Sequence, residues 1–492
     1  MVKKKVVIKN QVKMFRLDYL CIALILIISI ALRLYKINNP IADWHSWRQA
    51  DTAAVARNFV RTGFDILHPR YDDLSNVQTG IPNPEGYRFV EFPIYNGLFA
   101  SLYKYFPILS LEMYGRATSI FFSLIVIVII YYFVLKEENR IAAIVSALIF
   151  AVFPFFVYYS RVILPEMTAL GCMMLALWLL YLWKGTKRRV TSWILYGLSV
   201  FFSAIALLIK PTTIFYFAAL VYIFIQKYKF DILKKIPFYV YFVISLIPLV
   251  LWRQWMAQYP EGVPLYEWLI TDVNTFQGRQ NIFLRPAFFR WIFFERILNL
   301  ILGGYAAALL VFGVLAKPAR SYFLYSLGLS SLLYLFAFQG GNVQHDYYQT
   351  LILPSIAIFT GIGASLLYSH KKLFQSLYLS MFMVSALLVF SFTMSYYRVK
   401  DYYNTSDELL SIAKVIKTIT PQDARIVTDS TGDTTLLYLA DRRGYPAVTE
   451  DLKGLKDKGM EYFVTLKSDV AQEVEKEFEL IFSNDKVFIF KL

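Results

Sequence analysis

Charge is scarce in this sequence. Only 17% of its 492 residues are Asp, Glu, Lys or Arg, against about 25% in a soluble domain. Apolar residues make up 57% and the mean hydropathy is +0.48, which excludes an ordinary soluble enzyme. Cysteine is nearly absent. Cys21 and Cys172 both fall inside apolar runs, so no disulfide framework and no cysteine metal spacing is available. The signatures of soluble catalysts are missing too: no GxGxxG fingerprint, no GxxxxGK[ST] loop and no GxSxG elbow. That argues against an enzyme fed directly by a cytoplasmic nucleotide. Neither internal repeats nor low-complexity linkers are present.

What the chain does have is long apolar runs. A bilayer crossing needs about 20 apolar residues at 1.5 Å each. About eleven candidates follow, near 17–36, 116–135, 141–157, 162–183, 192–209, 211–226, 236–254, 297–316, 321–339, 348–368 and 373–396. The first follows the basic start MVKKKVVIKNQVKMFR without an evident cleavage site, so it reads as a retained span. The stretch 92–107 is apolar but short and contains Pro93 and Lys104, so it reads as a juxtamembrane or re-entrant helix. Aromatic residues reach 18%, and Tyr and Trp suit a boundary with one apolar and one wet side. The net charge of +15 suggests nucleic acid in a soluble chain. Here it sits in short loops and reads as orientation by the positive-inside rule.

With a cytoplasmic N-terminus, the short inner loops 136–140, 184–189, 227–235, 317–320 and 371–372 carry 14 Lys and Arg, whereas the outer connections 158–161, 210 and 340–347 carry only Arg161 and Lys210. This asymmetry leaves 92–107 out of the crossing count. It predicts a multi-pass plasma-membrane protein with residues 1–396 as an all-α membrane domain. Three segments then lie outside: 37–115, 255–296 and an extracytoplasmic domain at 397–492. In the last, TSDELLSIAKVIKTIT reads as helix, ARIVTDS as strand, DTTLLYLADRRG as helix up to Gly444, KGLKDKG as a helix end, and YFVTL, FELIF and KVFIF as strands. Alternation of this kind predicts a small α/β fold.

Ionisable residues at membrane depth are costly and therefore functional candidates. Five clusters stand out, all expected outside. His45, Trp47, Arg48 and Asp51 open a helix with Ala54, Val55 and Phe59 on one face and Arg57 and Arg61 on another, an interfacial amphipathic pattern. Asp51 reads equally as a functional carboxylate or as a helix N-cap. Glu91 precedes Pro93 and either supports a site or marks the interface. Tyr159 and Arg161 lie in a turn between spans, with Glu166 about one turn into the next helix. The Arg and Glu there are either a structural pair or an anion clamp with its orienter, since guanidinium forks fit phosphate. Lys210 stands between two spans, where the bland alternative is a snorkelling lysine. His345, Asp346 and Tyr348 enter a later span, as metal ligands, sugar contacts or a cap.

These blocks resemble the bacterial PMT-type glycosyltransferases, the family-39-like branch of the GT-C superfamily, related to protein O-mannosyltransferases and lipid A aminoarabinose transferases. The resemblance runs through WRQADTAAVARNF, EFPIYNGLFASLYKYF, GRATSIFFSLIVIVIIYYF, YYSRVILPEM, LLIKPT, HDYYQTLILP and LYLADRRGYP, nearly the whole chain. It implies a polyprenyl-phosphate-linked sugar as donor partner at the outer leaflet. It places the acidic residue of the first outer loop, Asp51, in the active site. Many relatives carry Asp-Glu there, whereas this chain has Asp51-Thr52, so no role passes to a second carboxylate.

Chemistry agrees with that assignment. An acceptor hydroxyl needs a base as it attacks the anomeric carbon, and the departing phosphate needs cations. Asp51 is the expected base, and Arg161 and Lys210, with Arg57 and Arg48 in reserve, the expected phosphate contacts. The expected reaction is a single inverting displacement. His45, Trp47, Glu91, Tyr159, Glu166, His345, Asp346 and Tyr348 are expected supports. No cofactor is called for; a divalent cation, its ligands and the acceptor stay open. The alternative is a transporter of lipid-linked sugars, although related halves and broken midplane helices are not evident.

Overall fold

The computed structural model describes residues 16–265, 286–369 and 376–492. Residues 266–285 of the expected loop 255–296, the basic N-terminus up to residue 15 and the loop 371–372 lie outside them. Each expected span overlaps helix among the described residues. Among the described residues, six helical stretches are long and apolar enough to cross a membrane: Leu111–Glu137, Glu166–Gly185, Arg189–Ile209, Ile236–Met256, Asp346–Tyr368 and Leu377–Ile419. The others are short, broken or charged, and each has a local cause.

Helix Arg16–Arg33 buries both Asp18 and Arg33. Arg140–Val152 stops early because Pro154 opens a separate short helix, Pro154–Tyr159. Proline lacks the N–H that the Phe150 carbonyl would accept. Arg33 fills the gap: its guanidinium donates to Phe150 O at 3.1 Å, Ala151 O at 2.8 Å and the Ser160 hydroxyl at 2.7 Å. The buried charge of the first helix thus repairs the break in another. The stretch from Pro211 begins as a 3-10 helix, Pro211–Tyr216, before Phe217–Tyr228. The expected 297–316 span is a π-helix, Arg290–Ile301, then Gly303 and Gly304 at positive φ, then Ala307–Leu315. That last helix packs backbone-to-backbone on Leu353–Ser369. A Cβ on Gly313 would lie 1.7 Å from Phe359 O, and one on Gly363 1.8 Å from Leu309 O. Without water to drive association, close approach through small residues is how spans pack.

The stretch 92–107 forms helix Ile94–Tyr105, 12 residues or roughly 18 Å, well short of a ~30 Å hydrocarbon core. It buries Tyr95, Asn96, Phe99 and Ala100 and exposes Leu98, Leu102 and Tyr105.

The WRQAD block corrects two expectations. Its helix is Ser46–Thr62, entered through His45 in the left-handed region at φ 56. Asp51 therefore lies in the second turn and is not the N-cap. Nor is the helix interfacial: Ala50, Ala53, Ala54, Ala56 and Phe59 are all buried. Small side chains let it pack on several sides at once, between the bundle and the C-terminal sheet.

That sheet has five strands in the order β2-β1-β3-β5-β4. They are β1 Arg425–Thr428, β2 Arg443–Tyr445, β3 Tyr462–Thr465, β4 Glu479–Ser483 and β5 Phe488–Lys491. β2, β1 and β3 run parallel; β5 pairs antiparallel with β3 and β4. Two apolar clusters sandwich it. One involves Ile412, Ile416, Leu436, Leu437 and Ile489; the other Leu455, Phe463, Ala471 and Phe490. The expected helix up to Gly444 ends at Ala440, where Asp441 turns left-handed at φ 59. The three-residue β2 follows, too short to show alternation. A Cβ on Gly444 would lie 1.8 Å from Ile426 O, so this strand needs glycine to pair with β1.

Candidate functional site

Asp51 projects from the buried side of its helix and is 1% exposed. Both carboxylate oxygens are held. Arg88 Nη2 lies 2.8 Å from Oδ2, and the Thr434 hydroxyl donates to Oδ1 at 2.6 Å. The Gln78 amide reaches Oδ2 at 3.4 Å, while Gln78 Oε1 accepts from Arg88 at 2.6 Å. Arg88 also stacks over the Tyr71 ring at 4.7 Å. A carboxylate fixed at both oxygens cannot swing, yet about one of its four lone-pair directions stays open. Asp73 lies alongside, and burial pushes its carboxyl up to about 6 despite the hydrogen bond from Ser75.

One turn before Asp51, Arg48 donates from Nη2 to Glu91 Oε1 at 2.5 Å. The same oxygen lies 3.1 Å from Lys210 Nζ, which is 2.6 Å from Glu166 Oε1. This alternating chain of four charges, three buried and Glu91 nearly so, is assembled at helix breaks. Lys210 is the extended residue between Arg189–Ile209 and Pro211. Glu166 follows Pro165 in the first turn of its helix. A backbone hydrogen bond from Phe92 to Leu208 O, 3.0 Å, brings Glu91 beside Lys210. Burial alone would raise Glu91, but the Arg48 and Lys210 charges outweigh it and hold the carboxyl down at about 2. Burial would likewise lower Lys210, and Glu166 and Glu91 raise it instead. Tyr348 lies under the Lys210 ammonium at 5.1 Å. A cavity of about 20 Å³, lined by Arg48, Asp51, Arg88, Glu91, Asn96 and Pro165, joins this chain to Asp51.

Asp346 anchors a third cluster. It accepts from the Tyr159 hydroxyl at 2.6 Å and the Tyr402 hydroxyl at 2.7 Å, and His45 Nε2 lies 2.6 Å away. Arg296 approaches at 3.4 Å. His345 stacks on Tyr347 at 5.2 Å and meets the rings of His45 and Trp47. Burial and the neighbouring His45 lower His345 to about 4, which keeps it neutral. Among the described residues no three His, Cys, Asp or Glu side chains gather as metal ligands.

Two expected phosphate contacts are engaged in other clusters. Arg161 is fully buried, donates to Lys36 O at 2.9 Å and stacks over Tyr403 at 4.9 Å. Its expected partner Glu166 faces Lys210 instead, because Pro165 starts a new helix between them. Arg57 forks between Asp72 at 2.5 Å and Asp441 at 2.9 Å, with the Tyr438 carbonyl at 2.8 Å, and ties the first loop to the C-terminal sheet.

Residues 109–255 match the family model of dolichyl-phosphate-mannose-protein mannosyltransferases. The whole chain is similar in structure to ArnT from Cupriavidus metallidurans bound to undecaprenyl phosphate, with a TM-score of 0.66 at 14% identity over 96% of this chain and 97% of that one. The family match thus covers part of the chain, and the fold is shared with ArnT over nearly its whole length. The same fold recurs in the oligosaccharyltransferase AglB from Archaeoglobus fulgidus, in complex with an inhibitory peptide and a dolichol-phosphate (TM-score 0.56, 12% identity, 92% of this chain, 69% of that one). It recurs again in the mycobacterial arabinofuranosyltransferase AftD (0.58, 13%, 98% and 42%). No protein of curated function matches in sequence.

The family model covers Arg161, Glu166 and Lys210 but stops short of Asp51 and Glu91. Arg88, Thr434, Arg296 and Tyr402 join the clusters without having been expected. Arg88 carried a faint signal, a cation three residues before Glu91 in an otherwise apolar stretch. Thr434 carried none.

Proposed function

We propose that this protein transfers a sugar from a polyprenyl-phosphate donor to an acceptor at the outer face of the membrane. The observation that carries this reading is the Arg48–Glu91–Lys210–Glu166 chain, whose Arg48 and Glu91 line a small cavity together with Asp51, on the fold that in ArnT binds undecaprenyl phosphate. In the proposed inverting displacement, the acceptor oxygen bonds to the anomeric carbon as the bond from that carbon to the phosphate oxygen breaks. The bonding pair leaves with the lipid phosphate, which gains one negative charge. Arg48 and Lys210 are the cations assigned to that charge, in a site where water is largely excluded. Arg57, forked between Asp72 and Asp441, becomes structural in this reading, whereas Arg161, whose buried Nε and Nη1 have no hydrogen-bond partner among the described residues, stays in reserve for an anion. Asp51 takes the acceptor proton if the acceptor is a hydroxyl. For an acidic acceptor it orients the sugar.

Purified protein in detergent is incubated with labelled polyprenyl-phosphate sugars extracted from host membranes, and product is counted. Covalent transfer by wild type and a loss of at least 100-fold in Asp51→Asn is the expected outcome. Lipid binding without any transfer supports the transporter instead, and near-wild-type transfer by Asp51→Asn removes the catalytic role.

A further inference from the structure

We propose that the C-terminal α/β unit completes the active site, with Thr434 as the positioning residue of Asp51. This rests on the reading of Asp51 given above.

Thr434 precedes the short helix Thr435–Ala440 and is 2% exposed. Its hydroxyl has one hydrogen to give. Asp51 Oδ1 is 2.6 Å away and the Trp47 carbonyl 3.3 Å, so the charged acceptor takes it. A bond to an ionised group is about twice as strong as a neutral one. Arg88 holds the other oxygen. The two donors come from segments more than 340 residues apart in sequence, and only together do they fix the plane of the carboxylate.

The unit is itself pinned so that Thr434 stays in place. Thr435 meets the Ser46 hydroxyl at 2.9 Å, at the start of the Asp51 helix. Arg57 joins that helix to Asp441 and to the Tyr438 carbonyl, and the Tyr438 hydroxyl donates to Glu112 at 2.7 Å. The backbone of Gly444 bridges Asp73, with Gly444 N to Asp72 O at 2.9 Å and Leu74 N to Gly444 O at 2.8 Å. A tether alone would not need a buried hydroxyl aimed at the carboxylate. Arg57 and the strand bridge already hold the unit, and the hydroxyl is left to set the angle of Asp51.

The test compares Thr434→Val and Thr434→Ser in the transfer assay described above, using the same labelled lipid extract. Valine keeps the shape and removes the donor; serine keeps the donor. A hydrogen bond to a charged group corresponds to roughly 10- to 100-fold in rate. We expect kcat to fall by about that factor in Thr434→Val. KM for the lipid donor should stay within threefold and the melting temperature within about 2 °C, and Thr434→Ser should recover most of the rate. In an Asp51→Ala background, adding Thr434→Val should cost nothing further, because the threonine acts only through the aspartate. Equal rates for wild type and Thr434→Val, alongside an inactive Asp51→Asn, overturn the positioning role and leave the proposed function standing. Equal losses in the valine and serine variants also overturn it. Absence of transfer by wild type overturns both.

Discussion

Replacing Glu91 by Gln should destabilise the protein and tighten its hold on a lipid phosphate at the same time. The carboxylate sits between Arg48 at 2.5 Å and Lys210 at 3.1 Å, and all three side chains are at most 12% exposed. Folding lowers its pKa from 4.5 to about 2. At about 1.36 kcal/mol per unit, that difference is worth roughly 3 kcal/mol at neutral pH. Breaking one side of a buried pair independently suggests ~3–5 kcal/mol. Lys210 keeps Glu166 at 2.6 Å, which argues for the lower end. The contribution is full above about pH 4.5 and is lost as pH falls through 2, so acid should erase the difference between wild type and variant. On the proposed reading, Arg48 is then freed for phosphate. Tryptophan-fluorescence melting in detergent reads the stability, and equilibrium binding of undecaprenyl phosphate reads the affinity. We expect a melting temperature lower by several degrees and a Kd lower by severalfold. An unchanged melting temperature refutes the energetic argument; weaker lipid binding refutes the placement of the phosphate.

Asp73→Asn should do the reverse to stability. Folding raises that carboxyl from 3.8 to about 6 by burial, so its contribution is full below about pH 3.8 and is lost as pH rises through 6. The amide removes a buried charge worth roughly 3 kcal/mol at pH 7.5, and melting against pH should flatten between 4 and 7. Arg57→Met deletes the fork to Asp72 and Asp441. We expect faster hydrogen exchange across residues 434–445 and a transfer rate reduced about tenfold through loss of the Thr434 contact, while exchange in the spans is unchanged.

The long apolar helices were legible because a chain in hydrocarbon must satisfy its backbone within each helix, so length and apolarity suffice to point to them, and six are long and apolar enough to cross a membrane among the described residues. Their interruptions were partly legible: Pro154 and the Gly303-Gly304 pair mark breaks that the apolar average smooths over. The charged candidates were legible singly, since each is costly to bury, but their partners were not. Arg161 and Glu166, five residues apart, suggest a pair on one continuous turn. Pro165 divides that turn, sending Glu166 to Lys210 and Arg161 to Lys36 O and Tyr403. Sequence spacing predicts contacts only within an unbroken element. The Asp51 helix failed as an interfacial helix for a related reason. Its run of alanines looks weakly apolar in sequence, but it is what permits close packing on several sides. Thr434 lay beyond reach, because an uncharged residue in a surface-type turn acquires its meaning from a contact made 383 residues away.

The charge balance of the site bears on how it is used. Arg48, Arg88 and Lys210 face Asp51, Glu91 and Glu166, three cations against three anions. Cations left bare in this buried place would cost several kcal/mol each, so before a substrate arrives the carboxylates stand in for it. On the proposed reading, a donor phosphate entering such a neutral cluster takes over a position that a carboxylate already holds, and Glu91 and Glu166 are the two able to yield. Asp51 is not, because Arg88 and Thr434 bind its two oxygens separately. On this reading, the residues that give way to the donor and the residue that acts on the acceptor are told apart by how many donors hold each carboxylate.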